Sequence, residues 1–262
     1  MAELLQYHDV AICYDDAQIV KNISFSLCSG EILGIVGESG SGKSTLVKAA
    51  LGLLGKSGVV TRGDIFFHGK NLTDLSSSQL RQIRGAKIGM IFQDPGAALC
   101  PVRTIGAQIY EERRAHHRIS RKESDAYAID LFQKIGLSDG ERILSSYSFE
   151  LSGGMNQRVG IALAMLPGPE ILLADEPTSA LDVSVQMQVV EEMLLMRKLY
   201  GTSIIIVTHD IGVVRAMADN VLILKDGEMV EYGSKEQVLN RPQAAYTREL
   251  LGAVPVLKRN IA

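Results

Sequence analysis

The 262-residue chain has no apolar run long enough to cross a membrane. Its mean hydropathy is only +0.12, too polar for an integral membrane protein. The opening MAELLQYHDV lacks the basic, apolar and small-residue regions of a secretory signal, so the expectation is a soluble chain in the cytoplasm. Cysteine is scarce: Cys13, Cys28 and Cys100 show no C-x-x-C spacing. Neither a disulfide framework nor a cysteine metal site is expected, and the three should be reduced, buried or incidental. An excess of one charge is also missing. Against 27 basic side chains stand 30 acidic ones, and the net charge of -3 gives no global reason to bind nucleic acid. There is no internal repeat and no low-complexity linker. With 46% hydrophobic residues the chain can bury a sizeable core, so one domain over 1–262, with or without an inserted lobe, is expected.

What is present reads as strands and helices in a definite order. YHDVAICY and KNISFSL alternate apolar and polar residues around a polar DDAQ, as an antiparallel hairpin does. EILGIVG is a short apolar run entering a glycine-rich turn, and VVTRGDIFFHG and AKIGMIFQ add two strands. TIGAQIYEERRAHHR and RKESDAYAIDLFQKIGL have the spacing of amphipathic helices. EILLADE and TSIIIVTHD are apolar runs separated by the helical VSVQMQVVEEMLLMRKLYG, the strand–helix–strand order of a parallel sheet. NVLILKDGEMVEYG predicts a hairpin turning at Asp226 and Gly227. The fold class expected is α/β: a mainly parallel sheet core, an N-terminal antiparallel β-subdomain, an inserted α-helical subdomain over about 94–166, and a short C-terminal segment over 240–262.

GESGSGKST, spanning Gly37 to Thr45, fits G-x-x-x-x-G-K-[ST]. Glycine is required where backbone N–H groups turn inward around phosphate oxygens, because a Cβ would obstruct them. Gly37, Ser39, Gly40, Gly42, Lys43, Ser44 and Thr45 are therefore candidate nucleotide-binding residues. Lys43 reaches the β- and γ-phosphates, Ser44 holds Mg²⁺, and the helix that follows directs its positive end at the anion. The complementary carboxylates are supplied by ILLADE: Asp175 to orient Mg²⁺ and Glu176 to direct the attacking water as a general base. An acidic pair after a strand also suits a helix cap, but the upstream cradle makes hydrolysis the stronger reading.

A second glycine-rich helix start, LSGGMNQR, lies far downstream at Leu151 to Arg158, where by itself Ser152 reads as an ordinary N-cap. In the order GESGSGKST, IFQDP, LSGGMNQR, ILLADEPTSALD and IIIVTHD, however, the motifs resemble those of the ATP-binding cassette (ABC) ATPases over nearly the whole chain. The resemblance implies a P-loop NTPase core that uses ATP and Mg²⁺. It makes Gln93 the residue sensing Mg²⁺ and attacking water, and His209 the switch contacting the γ-phosphate. Asp182 falls in the loop SALD, and Tyr14 stands where an aromatic stacks on adenine, with Tyr7 as a rival. It also makes Ser152, Gly153 and Gly154 the contact to a nucleotide held by a second subunit, so that two subunits packed head to tail sandwich two ATP molecules.

FQDPGAALCPVRTIGAQI, DEPTSALDVSVQMQV and YTRELLGAVP further resemble the ATPase subunits of bacterial importers for peptides, nickel and metal-chelating opines. That likeness implies a second ATPase chain as partner, a related paralogue or an identical copy. It also implies two membrane permease subunits, an extracytoplasmic binding protein acting indirectly, and a place on the cytoplasmic face of the inner membrane. Gly96 and Cys100 depart from the branch pattern beside the region that receives the permease, as do Ala244 and Ala245 in the tail. The chain ends without the cysteines that some members use for an iron–sulfur centre, so none is expected. An exporter, a soluble ABC ATPase acting on nucleic acid or ribosomes, and a P-loop kinase are the alternatives. A kinase has no use for LSGGMNQR or the THD switch, and the nucleic-acid class calls for a coiled-coil insertion or a tandem cassette. His116 and His117 point apart on a helix, so EERRAHHR is expected to be a solvated face, and His8 and His68 have no ligand spacing. Met187, Met193 and Met196 are expected to pack the core.

Overall fold

The computed structural model describes residues 3–94, 98–179 and 181–253. Gly96, the alanine of SALD and the last nine residues lie outside them.

Strands β1 (Glu3–Tyr14) and β2 (Ala17–Cys28) form the expected hairpin, turning at Asp15 with a φ of 48°. Strand β4 (Gly58–Phe67) pairs with the other edge of β1 and carries the two-residue β5 (Lys70–Asn71), giving an antiparallel sheet in the order β2-β1-β4-β5. The second sheet contains β3 (Ile32–Val36), β6 (Ile88–Ile91), β7 (Ile171–Asp175), β8 (Ser203–Thr208), β9 (Asn220–Lys225) and β10 (Glu228–Ser234), in the order β10-β9-β3-β8-β7-β6. All its neighbours are parallel except β9 and β10. Those two close at Asp226 and Gly227, whose φ values of 49° and 79° are both positive, as a tight hairpin turn requires.

The continuous apolar runs of β7 and β8 follow from burial on both faces. Leu172, Ala174, Ile204 and Ile206 join one core cluster, and Ile171, Leu173, Ile205 and Val207, the alternate residues, join another. The second cluster is shared with the antiparallel sheet through Leu5, Ile12, Ile23 and Ile65, and with helix α1 (Lys43–Ala50) through Leu46. The two sheets therefore enclose one core.

The first cluster continues into the helices between β6 and β7. These are α3 (Ile105–His116), α4 (Arg121–Lys134), α5 (Gly140–Ser145) and α6 (Gly153–Met165); α2 (Ser77–Ile83) precedes β6. Helix α7 (Val183–Tyr200) links β7 to β8, and α8 (Ile211–Met217) links β8 to β9. The chain continues through α9 (Lys235–Asn240) and α10 (Ala245–Gly252). Side-chain caps start many of them: Ser76, Thr104, Ser120, Ser152, Asp182, Asp210 and Ser234 each accept a backbone N–H.

Two expectations are corrected. Met193 and Met196 are buried, but Met187 is 48% exposed, because it lies six positions before Met193 on α7 and is turned to another face. EERRAHHR is not wholly solvated: the Arg113 guanidinium stacks 4.0 Å from the Tyr127 ring centre, and burial pushes the Glu112 carboxyl up to about 7. The three cysteines are free and half-buried.

Candidate functional site

Strand register brings the candidate residues to one edge. Val36 pairs with Thr208, Asp175 with Val207, and Ile91 with Ala174. The residues just beyond these parallel strands, Gly37, His209, Glu176 and Gln93, thus emerge at their common C-terminal end, where ligands bind in such sheets.

The loop from Gly37 to Gly42 joins β3 to α1. A Cβ on Gly37 would lie 2.1 Å from the Leu224 carbonyl oxygen, so only glycine lets the loop leave beneath β9. Gly40 and Gly42 have φ values of 84° and 98°, the left-handed region that glycine enters without cost from a Cβ. Ser39 and Gly40 are exposed at the loop tip. Lys43 is 5% exposed, and its Nζ donates to the carbonyl oxygens of Gly37 and Glu38, both at 2.8 Å. Burial lowers its pKa, and the nearby Glu176, Asp175 and Glu38 oppose that shift. The ammonium therefore lies within the loop that a polyphosphate would enter.

Tyr14 and Ile19 form one wall of a pocket of about 300 Å³, and Gly40, Gly42, Lys43, Ser44 and Thr45 form the rest. Tyr7, the rival aromatic, is 1% exposed and donates its hydroxyl to the Leu46 carbonyl under α1.

Asp175 is 2% exposed at the end of β7. Its Oδ1 accepts from the Ser44 hydroxyl at 2.6 Å, and its Oδ2 lies 3.6 Å from Lys48 Nζ. A buried carboxylate beside a hydroxyl is a hard oxygen donor set, and it fits Mg²⁺. Lys48 was not foreseen, although its position one turn after Ser44 on the helix carried the signal. Glu176 has a φ of 52°, and Nδ1 of His209 lies 2.7 Å from its Oε2. The His209 side chain is 62% exposed and the Glu176 side chain 12%. Neither acid caps a helix; Asp182 caps α7, accepting from Ser184 and Val185 N–H at 3.0 Å. Gln93 is exposed two residues past β6.

Ser152 caps α6, its hydroxyl accepting from Met155 N–H at 3.3 Å, so the N-cap reading holds. Ser152 and Gly153 are exposed, with open space where a Gly153 Cβ would stand. Among the described residues, no hydrogen bond or ion pair joins Ser152, Gly153 or Gly154 to the Gly37–Thr45 loop. Their unpaired N–H groups and the positive helix end face outward.

Comparison with known proteins decides the family. The family described as ABC transporter matches residues 20–179, more than half of the chain. The chain belongs to that family. It is 44% identical over 239 residues to the oligopeptide transport ATP-binding protein AmiE of Streptococcus pneumoniae, covering 91% of this chain and 67% of that protein. It is 41% identical over 263 residues to the oligopeptide transport ATP-binding protein OppD of Bacillus subtilis, covering 98% and 74%. Among solved structures, the ATP-binding cassette MJ0796, a dimer in a post-hydrolysis state bound to ADP and Pi, superposes with a TM-score of 0.78 at 30% identity. That match covers 88% of this chain and 98% of MJ0796. The cassette is an ATPase of this family with its α/β fold. None of its helices among the described residues is long and apolar enough to cross a membrane.

Proposed function

We propose that this cassette hydrolyses MgATP at the sheet edge and transmits the resulting closure and opening to the permease subunits of a bacterial importer. The observation that carries the reading is the convergence of Lys43, Ser44, Asp175, Glu176 and His209 at one edge, with Ser44 bonded to Asp175 and His209 to Glu176. Each residue has a task its chemistry suits. Tyr14 stacks on the base, while Gly37, Ser39, Gly40, Gly42 and Thr45 line the phosphates with backbone and hydroxyl groups. Lys43 exchanges its loop carbonyls for β- and γ-phosphate oxygens. Ser44, Asp175 and Gln93 hold Mg²⁺, which when bound offsets the phosphate charge. Glu176 orients and deprotonates the attacking water, and His209 keeps that carboxylate aimed and contacts the γ-phosphate.

The outward-facing start of α6 supports a site completed in trans. Ser152, Gly153 and Gly154 meet the γ-phosphate of a second cassette, with Asp182 at the same interface, so ATP favours the closed dimer because only that form touches it from both sides. The partner is a paralogous cassette or a second copy. The helices over about 94–166 act as one unit that presents this surface. The names of the compared relatives, both oligopeptide transport ATP-binding proteins, support peptide cargo, while import and a seat on the cytoplasmic face of the membrane rest on the likeness of motifs in the sequence. Nickel or opine chelates rest on the sequence likeness alone.

Glu176→Gln tests the reading. The variant should bind ATP, turn over about 10²–10⁴-fold more slowly, and elute as an ATP-dependent dimer, alone or with the paralogous cassette. Turnover at the unmodified rate would refute the role of Glu176.

A further inference from the structure

Arg158 closes the octapeptide that opens at Leu151, and its use lies outside the nucleotide site. Its Nε pairs with Oε1 of Glu192 on α7, and its Nη2 donates to the carbonyl of Ile135, the C-cap of α4. One guanidinium thus ties three helices together. The side chains are 17% and 8% exposed, and the second oxygen of Glu192 is buried without a hydrogen-bond partner. Burial pushes Glu192 up to about 7 although Arg158 opposes it, and Glu191, the neighbouring acid on α7, adds to the rise.

Two further contacts lie along the same stretch of α6. Gln157 is buried and donates to the carbonyl of Pro177, the residue after Glu176. Gly154 approaches Val185 in the first turn of α7 so closely that a Cβ would stand 3.1 Å from its Cγ1. The start of α6 is therefore seated on Pro177, Val185 and Glu192 in succession, which are the residues leading away from Glu176. A buried ion pair gives little net stability, because the desolvation of both charges offsets their attraction. Its directional geometry can still fix one register between helices.

We propose that Arg158 and Glu192 are positioning residues for ATP hydrolysis: their ion pair holds the Ser152–Gly154 helix start in register with the Glu176 loop. The inference rests on the trans contact of Ser152–Gly154 proposed above.

The test uses the full chain. Glu192→Gln preserves size and removes the charge, whereas Arg158→Lys keeps the charge but cannot bond both Glu192 and Ile135. Both should lower kcat about tenfold or more while KM for ATP changes less than twofold, because displacement of a reacting group costs rate while the phosphate loop stays intact. In the unmodified chain kcat should also step down between pH 8 and pH 6 as Glu192 takes up a proton. Arg158 from α6 and Glu191 on α7 are the charges acting on it. The step should be smaller in Glu192→Gln than in the unmodified chain. Unchanged kcat in Glu192→Gln, or a step of the same size in both, overturns the proposal. Dimerisation of Glu176→Gln is measured alongside, alone and mixed with the paralogous cassette. If no ATP-dependent dimer forms in either, the trans reading falls and takes this inference with it; if a dimer forms while Glu192→Gln turns over normally, the strut alone falls.

Discussion

Glu176 occupies the left-handed region at a φ of 52°, which costs a non-glycine residue about 1–2 kcal/mol. Its N–H donates to the Val207 carbonyl at 2.8 Å, and its carbonyl accepts from both Ser179 N–H and hydroxyl, so the surroundings hold the residue there. The strained turn is what sends adjacent carboxylates to different partners, Asp175 to Ser44 and Glu176 to His209. A second carboxyl is costly for another reason. Glu112 lines a cavity of about 370 Å³ between β6 and α3, and burial alone raises it from 4.5 to about 7. The folded chain therefore binds more protons than the unfolded chain between those values. Stability falls as pH rises through that window, and the loss is complete above it. Glu112→Gln should melt several degrees higher than the unmodified chain at pH 8 and at the same temperature at pH 4. An equal melting temperature at pH 8 would mean that burial does not penalise this carboxylate.

At the scale of elements, the phosphate loop depends on two kinds of glycine. Gly37→Ala forces a Cβ into the Leu224 carbonyl, so β9 or the loop must move. Gly40→Ala meets no atom within 4 Å and incurs only the left-handed cost, about 1–2 kcal/mol. Binding of a fluorescent ATP analogue should be abolished in the first and weakened in the second. Comparable affinities would show that the approach to β9 is not what requires Gly37. Such elements are legible in sequence when their pattern is long or chemically particular. The runs 171–175 and 203–208 are apolar because both faces are buried, and Gly37–Thr45 has a spacing that phosphate chemistry demands. Helices α2, α8 and α9, of 6 or 7 residues, span too few turns to show a period, although Ser76 and Gln79 form a capping box that marks α2. Met187 is exposed because its angle along α7, which composition does not reveal, points it away from the core. Ser152 is legible as a cap, and the structure places it at the start of α6; Asp182 caps α7 without a cap reading in the sequence. The trans contact proposed for both is not legible from local pattern, since a second molecule leaves no period in this chain. The Arg158–Glu192 pair is not legible, because partners 34 residues apart have no local signature.

For the whole molecule, the important feature is that the antiparallel and parallel sheets share one core, with α1 between them. Leu46 is fully buried in that core three residues after Lys43, and its carbonyl accepts the Tyr7 hydroxyl at 2.9 Å. The nucleotide loop is therefore braced from beneath by a strand of the other sheet. Leu46→Ala removes methyl groups from a site lined by both sheets and should cost about 2–5 kcal/mol. Because the core is common, that loss should lower one cooperative transition, with far-UV circular dichroism and tyrosine fluorescence melting together. ATP affinity should also fall, since α1 aims its N-terminal N–H groups at the phosphates and loses its seat. Two separated transitions would mean that the sheets fold as independent units, and the brace beneath the phosphate loop would then have to be local to α1.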